Sequence, residues 1–141
     1  MIAATSMSED ELLLGLTQAL TLAGWRWSHH RRSDQALLQG DPGLPDIIAV
    51  HPTRSRALAW ELKGTAGRPT GDQVAWIAGL AAPALRVDAR ILWPADYDRA
   101  LNVIVGIEDP SARCVVCGRT ADRILDPRTG AGLCIVCDQG V

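Results

Sequence analysis

Between Asp46 and Lys63 the chain holds two short apolar runs, Asp46–His51 and Ala57–Lys63, either side of Pro52-Thr53-Arg54-Ser55. Runs of this length, rich in Ile, Val, Ala and Trp and broken by a turn sequence, read as two strands of an antiparallel hairpin. Both are apolar on alternate as well as successive residues, which suits a sheet covered on two sides. A tight two-residue turn centred on Thr53-Arg54 makes paired residue numbers sum to 107 and sets Asp46 opposite Glu61. Lys63 lies two residues beyond Glu61 and so shares its face, with the small side chains Ala57 and Ala59 beneath.

The rest of the chain supplies helices and further strands around this hairpin. Leu12, Leu13, Leu16, Ala19, Leu20 and Ala23 recur at helical spacing, so Ser8–Ala23 is expected to be a helix. Ser8 with Glu11 forms a capping-box signature, and Gly24 ends the run. Trp25–Ser28 reads as a short strand and Arg31–Pro45, with two glycines and two prolines, as a loop. Thr70 with Gln73 repeats the capping box and opens a helix to about Ala82. Val87–Trp93 reads as a strand, and Pro94 opens a last helix through Ala100. The expected order is helix, strand, strand, strand, helix, strand, helix, an α/β fold.

Composition narrows the function. A chain of 141 residues, 48% hydrophobic and 21% charged, is of globular type and holds one ordinary domain plus a small appendage. No apolar run approaches the ~20 residues that span a bilayer, and Met1–Asp10 lacks the basic and apolar regions of a signal peptide. The expectation is a cytoplasmic protein with no membrane partner and a flexible start over residues 1–7. A net charge of −2 argues against coating nucleic acid by bulk electrostatics. The local run Arg26, His29, His30, Arg31, Arg32 is a basic patch or, equally, a solvated loop.

The chain has 13 arginines and one lysine, Lys63. A lysine kept in so arginine-rich a chain fits a position that needs a compact ammonium with a movable pKa. Two carboxylates on facing strands repel each other unless one is protonated or a cation lies between them. Asp46, Glu61 and Lys63 together are the equipment for metal-assisted phosphodiester hydrolysis: carboxylates for a hard cation, and an ammonium to orient water or neutralise charge on phosphate. The plain alternative is a Glu61–Lys63 salt bridge on a strand edge. Gln73 has one too, since its capping box explains it. Glu9 projects toward the middle of the first helix's apolar arc, where an apolar residue would be expected. Glu11 is committed to the cap. Glu9 is therefore preferred as a site carboxylate. His29 and Arg68 are further candidates for phosphate contact, and Trp60 and Trp76 are expected in the core.

The succession Gly43-Leu44-Pro45-Asp46, Glu61-Leu62-Lys63, Gly67-Arg68 and Gln73 resembles the VRR-NUC branch of the PD-(D/E)xK nucleases. Ser8-Glu9, Gly24-Trp25 and His29 match it as well, so the resemblance runs over about residues 8–98. It implies a restriction-endonuclease-like αβββαβ core and cleavage of DNA, branched or duplex, with Mg²⁺ or Mn²⁺. It implies Asp46, Glu61 and the backbone carbonyl of Leu62 as metal ligands, Lys63 as the catalytic lysine, and Glu9 and Gln73 as site residues. Small members resemble Holliday-junction resolvases and are often dimers, so a structure-selective endonuclease and a homodimer are the corresponding expectations. The alternative within the same fold is a non-catalytic DNA-binding adaptor.

Composition changes beyond Asp109-Pro110, dividing the chain into 8–109 and 110–141. Cys114, Cys117, Cys134 and Cys137 form two C-x-x-C pairs with 16 residues between, the spacing of a zinc ribbon. Four thiolates make a closed, structural Zn²⁺ site, and a module this small needs such a staple to fold. Two disulfides or four free thiols are the alternatives, the former disfavoured in a reducing compartment. The module brings Arg113, Arg119, Arg123 and Arg128, which suit nucleic-acid contact, or it serves protein interaction or caps the core. A zinc-ribbon transcription-type protein is a third reading, though it leaves the facing carboxylates without a purpose.

Overall fold

The computed structural model describes residues 6–30 and 39–107. The cysteine module, its four expected Zn²⁺ ligands, Arg31, Arg32 and most of the N-terminal segment lie outside the described residues. The chain runs α1 (Glu9–Leu22), β1 (Arg26–His29), β2 (Ile47–His51), β3 (Arg56–Leu62), α2 (Gly71–Leu80), β4 (Val87–Leu92) and α3 (Tyr97–Val105). The element order is the expected one, and the fold is mixed α/β. The four strands form one sheet in the order β1-β2-β3-β4. β1, β2 and β3 pair antiparallel, and β4 joins β3 parallel through the α2 crossover. No described helix is long and apolar enough to cross a membrane.

The two faces of β3 divide the core. Leu58, Trp60 and Leu62 point to one side, against Leu12, Leu16 and Leu20 of α1 and Ala100 and Ile104 of α3. The three leucines recur every fourth residue, so one stripe of α1 lies on the sheet. Each buried leucine contributes roughly 1.5–3 kcal/mol. Opposite, Val74, Ile77 and Ala81 pack on Ala89, Ile91 and Trp93. The expected two-sided covering therefore holds for β3 and β4. It fails on β2, where Ile48 and Val50 remain 39% and 45% exposed because α2 lies over β3 and β4.

The hairpin register agrees with the sequence reading, since Ile47 pairs with Trp60 and His51 with Arg56, both summing to 107. The turn itself is longer than expected. Four residues, Pro52 to Ser55, lie beyond the last pair, and Ser55 takes a left-handed φ of 51°. His51 holds this loop: its Nδ1 accepts from the Thr53 and Arg54 amides at 3.3 and 3.2 Å, leaving Nε2 to donate to Ala23 O at 3.0 Å. Arg54 stacks over Trp25 and donates to Ile104 O at the end of α3. A side chain that fixes the turn from within replaces the compact two-residue geometry.

Three other boundaries move. β1 is shifted one residue toward the C-terminus, and α2 ends with its C-cap at Ala81. Pro94 opens a single 3-10 turn, Pro94–Asp96, before α3 begins and continues past Ala100 to Val105. Trp60 is fully buried, as expected. Trp76 is only half-buried and is used as a donor, bonding Pro42 O at 2.9 Å.

Candidate active site

Asp46 is delivered by the loop ahead of β2, and that loop is fastened to the first turns of α2. Gly43 has φ +96° and approaches Asp72 so closely that a Cβ would fall 2.6 Å from its carbonyl carbon. No side chain fits there, and the left-handed backbone itself favours glycine. With Trp76 holding Pro42, the glycine sets the path by which Asp46 reaches the sheet. Asp46 Oδ2 then accepts the Leu62 amide at 2.8 Å, and the Asp46 carbonyl accepts the His30 amide at 3.4 Å. A charged acceptor on a backbone N–H is a stronger bond than a neutral one. It secures a carboxylate that is only 7% exposed.

Glu61 and Lys63 lie on the α2 face, as their two-residue spacing requires. Lys63 Nζ is 3.2 Å from Glu61 Oε2, and the Gln73 side-chain amide donates to the same oxygen at 3.1 Å. Glu61 Oε1 is buried and takes neither bond. Gln73 does two jobs: its Oε1 accepts from the Thr70 amide at 2.9 Å while its Nε2 reaches Glu61. The capping box and the site role are thus not alternatives, because an amide can accept with one end and donate with the other.

Burial dominates the electrostatics here. The Glu61 carboxyl is pushed up to about 8, first by burial and next by the Asp46 charge, with Lys63 pulling the other way. The side chains of Glu61 and Lys63 are 1% and 5% exposed. Two acids that resist joint ionisation hold either a shared proton or a cation between them. Hard oxygen donors of this kind fit Mg²⁺ or Mn²⁺. Among the described residues no group of three or more His, Cys, Asp or Glu side chains could hold a metal ion. An ion at the Asp46–Glu61 pair would therefore complete its shell with backbone oxygen and water.

A cavity of about 650 Å³ opens beside Asp46, on the α1 side of the sheet end. Glu9, Asp10, Leu13, Leu14 and Thr17 of α1 form one wall. His29, His30, Asp46 and Leu62 close it from the sheet. Glu9 is half-buried at this cavity, whereas Glu11 is exposed and bonds the Ser8 amide at 3.4 Å in its cap. Glu9 and Asp10 are thus the α1 carboxylates that line the cavity beside Asp46, and Glu11 is not among them. Glu61, Lys63 and Gln73 do not line the cavity, so Asp46 is the member common to both halves. Arg68 is exposed.

Gly67 sits over the lysine, 3.2 Å from Lys63 Cβ if it carried a Cβ of its own, and its carbonyl accepts from Trp93 Nε1 at 2.8 Å. Loop 64–69 thus packs against the base of the Lys63 side chain. Sequence reading missed His30, whose only signal was its place in the basic run. It also missed the Trp76–Pro42 tether, which joins positions 34 residues apart and leaves no local pattern.

Comparison with known proteins adds no relative. No family model matches the chain, and neither a curated protein nor a solved structure matches it.

Proposed function

We propose that this chain is a divalent-metal-dependent nuclease of the PD-(D/E)xK type that hydrolyses phosphodiester bonds in DNA. The observation that carries the reading is the buried Asp46–Glu61 acid pair across β2 and β3, with the chain's one lysine 3.2 Å from Glu61. The α1-β1-β2-β3-α2-β4-α3 order and the mixed sheet support a restriction-endonuclease-like core.

Asp46 and Glu61 would hold Mg²⁺ or Mn²⁺, which when bound supplies Lewis-acid charge neutralisation and a more acidic water. The chain's own groups do the rest. Lys63, buried beside Glu61, would offset from behind that carboxylate the negative charge that grows on the phosphate oxygens. Gln73 keeps Glu61 oriented from the α2 side, and Glu9 orients water from the α1 side. Water oxygen bonds to phosphorus and releases a proton to solvent, the bridging P–O bond breaks, and the departing oxygen takes up a proton from solvent. No covalent enzyme intermediate is required.

Incubation with four-way junctions, flaps, duplex and single strands, with Mg²⁺, Mn²⁺ or chelator, tests the reading. Cleavage is expected only with metal, lost in Asp46→Ala and Lys63→Ala, and reduced on the order of 10²-fold in Glu9→Gln. Cleavage that survives Lys63→Ala would show the site to be misassigned, and no cleavage of any substrate would favour a binding adaptor. Cys114, Cys117, Cys134 and Cys137 are proposed, on spacing alone, as a structural Zn²⁺ site. Chelation with a colorimetric indicator is expected to release one zinc per chain.

A further inference from the structure

Resting on the nuclease reading, we propose that the cavity between α1 and β1 receives one unpaired base of the strand being cut, flanking the scissile phosphate. Size decides first. A space of 650 Å³ is in the range of small-molecule sites. It has room for a single extruded or unpaired nucleotide.

Charge decides which part of that nucleotide enters. Asp10 brings a further carboxylate to the α1 wall, away from the Asp46–Glu61 pair, which disfavours a phosphate on that side. A base is not disfavoured: the Asp10 carboxylate can accept from exocyclic amino groups, as on cytosine and adenine. The other walls suit a flat ring. The His29 and His30 rings lie nearly parallel, 23° apart with centroids at 6.4 Å, and the pair flanks the cavity. Leu13 and Leu14 face it from α1, and Leu14 is 58% exposed, an apolar side chain with no described cover. Stacking on imidazole and contact with leucine are insensitive to which base is present; Asp10 adds a preference for bases that donate.

Asp46 then links the two halves of the site. The base enters on the α1 side, and the backbone phosphate stays beside Asp46. The substrate class that follows is DNA with at least one unpaired nucleotide at the cut, an amino-bearing base being cut better than thymine.

The test uses the full chain with Mg²⁺ on a duplex bearing a single-stranded arm, with an abasic residue placed in turn on either side of the cut. One abasic position is expected to raise KM about 5- to 100-fold, the range for one lost base stack. His30→Ala and Leu14→Gln are expected to lose most of that discrimination while melting like the wild type. A cytosine at that position is expected to give a lower KM than thymine. Equal kcat/KM for intact and abasic arms, or full discrimination retained in both variants, overturns the proposal. If no DNA is cut, the nuclease reading fails by itself and binding decides the subsite. A cytosine-containing oligonucleotide that binds more weakly to His30→Ala, with an abasic one unchanged, upholds it; equal Kd values overturn it.

Discussion

Both long-range faces of this protein begin with the same device, and they use it differently. α1 and α2 each open on a complete capping box, Ser8 with Glu11 and Thr70 with Gln73. In α1 the third residue is a glutamate, exposed and consumed by the cap. In α2 it is a glutamine, buried, and its second polar end is spent on Glu61. A carboxylate can only accept when ionised, so at position 73 it would cap the helix but set a third acid against the Asp46–Glu61 pair. The amide supplies cap and donor at once. On the α1 side the cap and the site are instead divided between Glu11 and Glu9.

Exchanging the two residues should break the comparison most sharply. Gln73→Glu is expected to lower cleavage on the order of 10²- to 10³-fold, since the Glu61 donor is replaced by a repelling acid. Its melting temperature should fall steeply above neutral pH. Glu11→Gln keeps its cap and should leave activity and stability within error. Comparable behaviour of the two variants in cleavage and thermal-melt assays would mean that Gln73 is only a cap.

A smaller effect separates the metal-bound from the metal-free acid pair. Glu61 ionises near its ordinary 4.5 in the unfolded chain and only at about 8 in the folded one. Between those values the folded state holds a proton that the unfolded state releases, so stability falls as pH rises. The contribution is full below 4.5 and is lost as pH passes through about 8. Thermal melts in chelator should therefore decline from about pH 5 to about pH 9. Mg²⁺, which binds the ionised form, should raise the melting temperature more at the alkaline end. A flat profile in chelator would remove the buried acid pair as its cause.

The smallest effects come from the caps themselves. Ser8→Ala and Thr70→Ala should each cost about 1 kcal/mol of stability by denaturant unfolding. Neither should alter cleavage, because Thr70→Ala keeps the backbone N–H that donates to the Gln73 side chain and loses only the hydroxyl that accepts from the Gln73 backbone amide. Lower cleavage in Thr70→Ala than in Ser8→Ala would mean that the Thr70 hydroxyl also helps hold Gln73 against Glu61.

Much of the site was legible in the sequence because its signals are local. Glu61 and Lys63 share a face by strand periodicity, and the capping boxes mark the starts of α1 and α2 within one residue. The turn was misread because His51, a strand residue, folds back to accept two turn amides. Nothing in the turn's own four residues announces that. The bare face of β2 was misread for a related reason: apolar Ile48 and Val50 look buried in sequence, but cover depends on where α2 lands.

Sequence alone determined the hairpin register, since a side-chain period of two and a short turn admit few pairings, and that register ends at Ile47–Trp60, one residue short of Asp46 and Glu61, whose side chains interact. Tertiary structure decided which neighbours close around that pair. Gln73 reaches Glu61 because α2 crosses over β3, and His30 joins the cavity because β1 lies beside β2. The elevated Glu61 and the sealed Lys63 follow from burial, a property of the packed whole that no local pattern of residues carries.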